Sequence, residues 1–341
     1  MEQIRVLIIE DSILMINVIT DMLQSDPRIK VIGSARNGKE GIKKVTSLEP
    51  DVVTLDMEMP VMNGIGFLKD IMKLHPVPVV MLSVYTKDGA RETIEALNLG
   101  AVDFVSKPSG SISVNIREVK EELIEKIVLA SGIKRGNLLY PPQYEPCSFK
   151  YTPSRKRSKI IIICSSTGGP RALGVLLSTL PKNLNACILI IQHMPEQFTP
   201  ILAERLNRIS LLDVREAKGD ELLLRGKVYI APGGKHMEVN REGKVLLTKK
   251  PKKHSVRPSC DVTLRSVLNF GERILTVVLT GMGKDGSDGL GGVKRVNGKV
   301  FVEDASTAVI FGMPKAAIET GYVDKVIPLN QMAKEIIDFA R

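Results

Sequence analysis

The chain has 341 residues, a length that favours two domains over a single core. Hydrophobic residues make up 43% and charged residues 25% of it, which is the composition of a soluble globular protein. No apolar run approaches the ~18 residues that cross a bilayer, so we expect no membrane insertion. The start MEQIRVLIIED has an early acidic residue, and its apolar run is too short for a signal peptide. We therefore expect a cytoplasmic protein.

The formal net charge of +10 favours acidic partners, of which nucleic acid is one. Trp is absent and aromatic residues are only 4% of the chain, so base-stacking surfaces are scarce and we expect no nucleic-acid partner. The cysteines are widely spaced and form no C-x-x-C pair: Cys147, Cys164, Cys187 and Cys260. This spacing argues against a zinc site or a disulfide framework. As for the oligomeric state, we expect a monomer, since nothing in the sequence requires more.

Residues 1–130 alternate short apolar runs with amphipathic stretches. Strands are predicted at 5–10, 30–35, 51–56, 78–83 and 102–107, and helices at 12–25, 38–48, 64–74, 88–98 and 115–130. Strands that alternate with helices at this pace form a parallel sheet covered on both faces. We therefore predict an N-terminal doubly wound α/β domain with flavodoxin-like (βα)5 topology and strand order 2-1-3-4-5.

Acidic side chains follow two strands of this domain: Glu10 and Asp11 the first, Asp56 the third. In the predicted order these strands are neighbours, so the carboxylates meet at one edge and need a compensating cation. We expect Mg²⁺, because it prefers oxygen ligands and keeps several waters. Ser83 and Lys107 end the fourth and fifth strands at the same cleft, which suits Asp56 to accept a phosphoryl group. Each residue alone is explained as a polar strand end, but five together favour a site.

The stretches IIEDS, LDMEMPVMNG, MLS and DFVSKPSG resemble the receiver domain of bacterial two-component response regulators over about residues 1–125. The resemblance implies that Asp56 is phosphorylated by a histidine kinase and that Glu10 and Asp11 hold the metal with it. It also implies phosphoryl contacts for two residues and a switch role for an aromatic one: Ser83, Lys107 and Phe104. Glu10 stands where Asp is more frequent in that family, so its metal contact could run through water.

From 131 to 158 the alternation of apolar runs stops. The segment holds four prolines, which prevent a regular helix or central strand: Pro141, Pro142, Pro146 and Pro153. The segment contains several Lys and Arg residues but only one acidic residue, Glu145. Because like charges repel, we predict an extended linker. Contact of this basic segment with nucleic acid or a receptor is the alternative.

A second α/β domain is predicted over 159–341. Its strands are predicted at 159–164, 186–192, 273–280 and 299–303, and its helices at 170–180, 198–208, 286–296 and 330–340. A further strand is predicted at 227–234. A hairpin is predicted at 236–247, because the turn sequence Asn-Arg-Glu-Gly lies between its two apolar runs. We therefore predict a doubly wound, mostly parallel hydrolytic domain with an antiparallel hairpin insertion.

The stretch CSSTGGP, residues 164–170, lies between the first strand and the first helix of this domain. Its hydroxyl residues have two interpretations: they cap the helix, or one is a nucleophile on a tight strand-to-helix turn. A nucleophilic hydroxyl requires a base and a group that orients the base. His193 ends the next strand and is expected at the same carboxyl edge as Ser166. Surface or substrate-contact roles are both open for His236 and His254.

The run ILTVVLTGMGKDGSDG, residues 274–289, supplies an acid, Asp285, in a glycine-rich turn after a strand. Gly281 and Gly283 allow positive φ angles, so that backbone N–H groups can converge on an oxyanion. A phosphate-binding loop is the alternative, but Asp285 stands where G-x-x-x-x-G-K-[ST] requires Ser or Thr. In α/β-hydrolases the triad follows the order Ser, acid, His along the chain. A triad in the order Ser166, His193, Asp285 would therefore have evolved convergently.

The stretches CSSTGGP, IIQHMPEQFT, YIAPGGKHM, RPSCD and LTGMGKDG together resemble the catalytic domain of the CheB family over roughly 159–340. These proteins are chemotaxis response-regulator protein-glutamate methylesterases. The resemblance implies a nucleophile, a base and an orienting acid: Ser166, His193 and Asp285. It also implies an oxyanion-hole N–H and a neighbour of the nucleophile: Met282 and Thr167. Cys164 stands where Gly is commoner in the family, and Ser165 is a second hydroxyl that mutagenesis must exclude.

By this resemblance the chain is a phosphorylation-activated hydrolase that removes methyl esters from chemoreceptor glutamates and deamidates selected receptor glutamines, for adaptation in bacterial chemotaxis. The implied partners are helical cytoplasmic domains of chemoreceptors and the histidine kinase of the chemotaxis pathway. Mg²⁺ is implied for the receiver domain and no cofactor for ester hydrolysis. Two other classes stay open. One is a DNA-binding response regulator, favoured by the receiver and the positive charge, and the other is a non-catalytic receptor-binding module in which Ser166 caps a helix.

Overall fold

The structure, a computed structural model, describes residues 3–83, 87–107, 116–133, 135–138 and 158–341. The chain forms two compact units, Met1–Tyr140 and Pro141–Arg341. The core of each unit is a parallel sheet whose central strands are buried on both faces, which is why these strands are near-continuous apolar runs in the sequence.

The first unit is a five-stranded parallel sheet with the order β2-β1-β3-β4-β5. Its strands are β1 Ile4–Ile9, β2 Ile29–Ala35, β3 Val52–Asp56, β4 Val79–Ser83 and β5 Asp103–Ser106. Its main helices are α1 Ile13–Gln24, α2 Gly38–Leu48, α3 Gly64–Leu74, α4 Lys87–Leu99 and α5 Ile116–Ser131. The predicted doubly wound topology and strand order are confirmed.

Side-chain caps start the helices that follow the strand ends of this sheet. Ser12 accepts a hydrogen bond from the Met15 N–H at the start of α1, and Asn63 accepts one from the Gly66 N–H at the start of α3. Each cap fixes the point at which the loop after a strand becomes a helix. The loops after β1 and β3, which carry the predicted acidic residues, are therefore held at both ends.

The segment predicted as a linker, 131–158, is described only at its ends. Ser131 belongs to α5, and a short helix, α6 Arg135–Leu138, follows it in the first unit. Residues 139–157, with the four prolines and Cys147, lie outside the described residues. The linker therefore stays a prediction.

The second unit is a seven-stranded sheet with the order β14-β13-β12-β6-β7-β9-β8, in which all the strand pairs are parallel. Its strands are β6 Lys159–Ser165, β7 Ala186–Gln192, β8 Asp213–Glu216, β9 Lys227–Ile230, β12 Ile274–Val278, β13 Lys299–Glu303 and β14 Lys325–Ile327. A separate antiparallel hairpin consists of β10 His236–Val239 and β11 Val245–Thr248. The predicted parallel architecture with a hairpin insertion is confirmed.

The helices of this unit are α7 Gly169–Thr179, α8 Thr199–Ile209, α9 Cys260–Ser266, α10 Ser287–Arg295, α11 Gly312–Glu319 and α12 Leu329–Ala340. A 3₁₀ helix, Leu268–Arg273, precedes β12. The sequence pattern did not predict β8, β14, α9 or α11. The two strands are short outer strands with few buried residues, so neither gives an apolar run.

The strand order of this sheet reverses beside its central strand. The chain leaves β6 for β7 and the strands beyond it, then returns to place β12 on the opposite side of β6. The registers pair Ser165 with Gln192 on one side and Cys164 with Val278 on the other. In open α/β sheets, ligands bind outside the carboxyl ends of the strands at such a reversal. The predicted catalytic residues follow these three strands.

Candidate active site and candidate metal centre

The acidic cleft of the first unit lies at the carboxyl ends of β1, β3 and β5. Carboxylate oxygens of Glu10, Asp11 and Asp56 lie within 4.8 Å of one another. The Nζ atom of Lys107, which follows β5, is 2.8 Å from Asp56 Oδ1 and 2.9 Å from Glu10 Oε2. The structure therefore brings together four of the residues predicted for this site.

Burial shapes the electrostatics of the cleft. Burial raises the pKa of Glu10, and the charge of Asp56 adds to this, while Lys107 opposes it. Burial alone would lower the pKa of Lys107, but its hydrogen bonds to Asp56 and Glu10 outweigh it and the pKa is raised. One ammonium group is thus paired with two of the three carboxyl groups of this cleft. This donor set of carboxylate oxygens fits Mg²⁺, and Glu10, Asp11 and Asp56 are the residues that would hold it.

The two remaining residues predicted for the receiver site lie on adjoining strands. The Ser83 hydroxyl at the end of β4 is 2.6 Å from the hydroxyl of Thr93 on α4. Phe104 on β5 is buried, and Lys126 Nζ lies 5.4 Å from its ring centroid. Ser83 is therefore at the same strand-end edge as the cleft, and its phosphoryl contact stays a prediction, as does the switch role of Phe104.

The CSSTGGP stretch forms the turn between β6 and α7. Ser166 is partly exposed, whereas the residues on both sides of it are buried. The Ser165 hydroxyl is buried and donates to Gln192 Oε1 at 2.7 Å. The N-cap of α7 is Gly168, so none of the three hydroxyl residues occupies the capping position. These placements favour Ser166 as the nucleophile over helix capping and over Ser165.

The base and the acid of the predicted triad contact each other. His193 Nε2 lies 2.8 Å from Asp285 Oδ2. Three further donors reach the same carboxylate: the Ser259 hydroxyl at 2.6 Å, the Cys260 N–H at 2.6 Å and the Asp261 N–H at 3.3 Å. Cys260 begins α9, where backbone N–H groups lack partners within the helix, so the helix start supplies a donor to the acid.

These contacts keep Asp285 ionised although its residue is only 3% exposed. Burial alone would raise the pKa of Asp285. The hydrogen bond and charge of His193, together with the bonds from Ser259 and Cys260, outweigh burial and hold that pKa below its usual range. An anionic Asp285 can orient the His193 ring and stabilise the imidazolium that forms when the ring takes a proton.

Ser166 and His193 lie at the ends of paired strands. The His193 N–H donates to the Ser165 carbonyl at 3.1 Å, and Gln192 Nε2 donates to the carbonyls of Ser166 and His193 at 2.9 and 3.1 Å. Within the described part of the chain, no hydrogen bond joins the Ser166 hydroxyl to the His193 ring. Such contacts are often long in free enzymes and tighten with substrate. Since Nε2 faces Asp285, Nδ1 is the nitrogen left to accept the serine proton.

The glycine-rich turn packs directly against the nucleophile. A Cβ at Gly281 would lie 2.9 Å from Ser166 Cβ and 2.5 Å from Met313 Sδ, so this position has room only for glycine. Gly283 has a positive φ angle, 81°, as predicted. Gly281 does not, and it is glycine because Ser166 and Met313 lie too close for a side chain. Met282 lies between them and is partly exposed. Met282 directly follows the glycine that packs against Ser166, and an oxyanion-hole role for its N–H stays a prediction.

Three polar residues that the sequence did not single out connect the parts of this site. Gln192 joins the Ser165 hydroxyl to the strand ends, and Ser259 holds Asp285. Thr280 donates its hydroxyl to the Thr167 carbonyl at 2.9 Å. Each lies within or next to a stretch that carries the family resemblance, but no spacing rule marks its role.

The other histidines of this unit have structural contacts. His236 is fully buried, its Nδ1 accepts the Ser259 N–H at 3.2 Å, and its Nε2 bonds to the Pro251 carbonyl. This burial leaves no room for the substrate-contact role that was open for His236. His254 Nε2 lies 3.1 Å from Asp261 and 3.2 Å from Asp288.

The Cys260 Sγ atom, a ring nitrogen of His193 and a carboxylate oxygen of Asp285 lie within 4.8 Å of one another. Burial, together with the neighbouring Cys164 thiol, raises the pKa of Cys260 well above its usual value. Because the thiolate is the nucleophilic and metal-binding form, this side chain stays a neutral packing group.

Two family profiles match the chain. The response regulator receiver domain matches residues 6–115, and CheB methylesterase matches residues 161–336. The receiver fold with its acidic cleft and the parallel α/β unit that follows it along the chain define the class: a response regulator whose second domain is a methylesterase domain.

Relatives match over nearly the whole length. A protein-glutamate methylesterase/protein-glutamine glutaminase of Pyrococcus abyssi is 46% identical over 98% of this chain and 93% of its own. One of Geobacillus kaustophilus is 46% identical over 99% of each. The crystal structure of the Thermotoga maritima CheB methylesterase catalytic domain aligns with a TM-score of 0.52 at 45% identity, over 53% of this chain and 98% of that one. The chain belongs to the CheB methylesterase family. No helix in the ranges that the structure describes is long and apolar enough to span a membrane.

Proposed function

We propose that this chain hydrolyses methyl esters on glutamate side chains of chemoreceptors and deamidates selected receptor glutamines. The observation that carries the proposal is the hydrogen bond of His193 to a buried and ionised Asp285, at the strand end next to the partly exposed Ser166. The relatives that match nearly the full chain bear the names of both activities, which supports it. In this account residues 1–130 are the receiver, 131–158 the linker and 159–341 the catalytic domain.

The chemistry is acyl transfer through a serine ester. The Ser166 Oγ attacks the ester carbonyl carbon while His193 Nδ1 takes the hydroxyl proton, and the carbonyl π pair moves onto oxygen. The Met282 N–H donates to that oxyanion, and Asp285 stabilises the imidazolium. His193 then gives its proton to the methoxy oxygen, the C–O bond breaks and methanol leaves.

Water completes the cycle by the same steps. His193 takes a proton from water, whose oxygen attacks the glutamyl ester on Ser166, and the proton returns to Ser166 Oγ as the carboxylic acid is released. With a glutamine substrate, ammonia leaves in place of methanol. No step uses a group outside this chain, the substrate and water.

The receiver site controls this activity in our proposal. Asp56 accepts a phosphoryl group from the histidine kinase of the chemotaxis pathway, and Mg²⁺ supplies positive charge there when bound. Lys107 already bridges Asp56 and Glu10, so new charge on Asp56 must rearrange these ion pairs. Contacts of Ser83 with the phosphoryl group and a movement of Phe104 would follow. The phosphorylated receiver then favours the active form of the enzyme.

Release of methanol from a methylated receptor tests the proposed function. The wild-type full chain should release it, and Ser166→Ala should lose on the order of 10³-fold or more in rate, because the nucleophile is gone. Ser165→Ala is the matched control: its hydroxyl is bonded to Gln192 and is not the attacking group, so this variant should lose far less activity than Ser166→Ala. A chain that releases no methanol and instead binds duplex DNA with a steep salt dependence would favour the DNA-binding alternative.

A further inference from the structure

A buried carboxylate outside the triad contacts the segment that precedes the oxyanion loop. Glu303 ends β13, and its side chain is fully buried. Its Oε2 accepts the Thr280 N–H at 2.7 Å, and its Oε1 accepts the Thr307 hydroxyl at 3.1 Å. Burying an acid in a protein core costs free energy, so its presence at this point calls for a physical reason.

Glu303 lies where two strands of the sheet separate. β12 and β13 pair as far as Val278 and Val302. Beyond these residues, the segment that follows β12 stays hydrogen-bonded to the β6 side, where the Leu279 N–H donates to the Cys164 carbonyl. Glu303 instead pairs with Ile327 of β14. The Thr280 N–H lies in the gap between the separating strands, and Glu303 Oε2 takes the place of a strand carbonyl as its acceptor.

Thr280 connects this carboxylate to both parts of the candidate active site. Its carbonyl accepts the Ser166 N–H at 3.1 Å, and its hydroxyl donates to the Thr167 carbonyl at 2.9 Å. Two residues further on is Met282, whose N–H is the oxyanion donor in the proposed mechanism. A displacement of Thr280 would therefore change the position of the nucleophile turn relative to the oxyanion donor.

We propose that Glu303 is a positioning residue for ester hydrolysis: by holding the Thr280 amide it fixes the Ser166 turn and the Met282 N–H relative to each other. The inference rests on the proposed function. Glu303 touches no reacting atom and acts only through Thr280. Small misplacements of reacting groups cost large factors in rate, so this contact should be visible in kcat.

The charge of Glu303 can be followed near neutral pH. Burial raises the pKa of Glu303 to about 7, in spite of the donors on Thr280 and Thr307. Two charged side chains also act on it: Asp304, which raises the pKa, and Arg171 on α7, which lowers it. The Thr280 amide therefore faces an acceptor whose charge changes with pH, which gives the contact a spectroscopic signature.

The kinetic test compares Glu303→Ala and Glu303→Gln in the full chain, by methanol release from a methylated receptor. Glu303→Ala removes the acceptor, and we expect kcat to fall about tenfold or more with KM nearly unchanged. Glu303→Gln keeps an oxygen that can accept the Thr280 N–H, and we expect kcat within about threefold of wild type. Glu238→Ala is the matched control, because Glu238 also accepts a threonine hydroxyl, that of Thr248 at 2.7 Å, but lies on the hairpin. It should leave kcat unchanged.

The second test does not depend on activity. The ¹H and ¹⁵N chemical shifts of the Thr280 amide should titrate with a midpoint at about 7 in the wild-type chain. Glu303→Gln should abolish that titration, since the amide side chain does not ionise.

Equal kcat in wild type and folded Glu303→Ala would overturn the proposal. So would a loss that Glu303→Gln does not rescue, or a Thr280 amide that does not titrate in wild type. If Glu303→Ala does not fold, the glutamine variant and the amide titration decide. A wild-type chain that releases no methanol would refute the proposed function instead, and the titration would still test the contact between Glu303 and Thr280.

Discussion

Ser165 and Ser166 carry the same hydroxyl, but their surroundings give them different chemistry. The Ser165 hydroxyl is buried and bonded to Gln192, so attack by it would require breaking a core contact. Ser166 is partly exposed at the turn, with Gly281 packed against its Cβ and the His193–Asp285 pair at the next strand end. Burial, rather than residue type, separates the two.

The strand-end pattern of the sequence predicted Ser166, His193 and Asp285, because each follows an apolar run at the same edge of a parallel sheet. It did not predict the donors that hold Asp285. Ser259 and Cys260 stand 26 and 25 residues before Asp285. Such donors leave no spacing or composition signal, since their partner is chosen by tertiary packing.

At the scale of single residues, Ser259→Ala tests what keeps Asp285 in place. The change removes one donor from a buried carboxylate, so we expect a fall of about tenfold in kcat/KM and a loss of about 1–3 kcal/mol in unfolding free energy at pH 7. A carboxyl with a depressed pKa stabilises the fold above its unfolded pKa and loses this contribution as pH falls, so the loss should shrink in acid.

Methanol release and urea unfolding at two pH values measure these effects. Ser178→Ala is the control, because Ser178 donates its hydroxyl within α7 at 2.9 Å to Val175 O. Wild-type activity and stability in Ser259→Ala would show that this hydrogen bond has no part in holding the acid.

Elements with long apolar runs were predictable, and short outer elements were not. β13 is buried over four of its five residues and was predicted, whereas β14 buries only one of three and was missed. The separation of β12 from β13 cannot be predicted from their sequences, because it depends on which neighbour each strand follows after the last paired residues. Glu303 fills that separation, and a single acid at a strand end gave no sign of it.

At the scale of the element, Glu303 makes the sheet less stable as pH rises. The ordinary pKa of a glutamate is 4.5 and burial raises that of Glu303 to about 7, so the fold holds this proton more tightly than the unfolded chain. The resulting stability is fully present below pH 4.5 and is lost as pH rises through about 7. Glu303→Gln should remove this loss and raise the unfolding free energy at pH 8 by up to about 3 kcal/mol.

Urea unfolding at pH 5.5 and pH 8 measures this difference. Glu238→Gln is the control of opposite sign: its hydrogen bonds to Lys250 and Thr248 outweigh burial and lower the pKa of Glu238, so its carboxylate stabilises the fold above the unfolded pKa. An equal pH dependence in wild type and Glu303→Gln would contradict the assignment.

For the whole molecule, the two units carry two sites that the sequence predicted separately. The strands and main helices of the first unit and the central strands of the second were predictable from periodicity, and the two family profiles match the two units separately. The net charge of +10 is a property of the full chain and did not indicate which partner it serves. Charge summed over a sequence does not show which surface carries it.

Asp56→Asn tests whether the first site acts on the second. Without the acceptor carboxylate, methanol release should stay near the basal rate and no longer rise with Mg²⁺ and a small-molecule phosphodonor such as acetyl phosphate. Asp21→Asn, an exposed carboxylate on α1, should respond like wild type. Stimulation of Asp56→Asn equal to that of wild type would place the control elsewhere.

The central claim is that His193 activates the hydroxyl of Ser166. Mass mapping of the full chain after reaction with a fluorophosphonate tests it most directly, because an activated serine oxygen displaces fluoride and keeps the phosphonyl group. We predict one modified residue, Ser166, with modification abolished in His193→Ala and slowed by methylated receptor. Modification of Ser165, or equal modification of Ser166 with and without His193, would contradict the account.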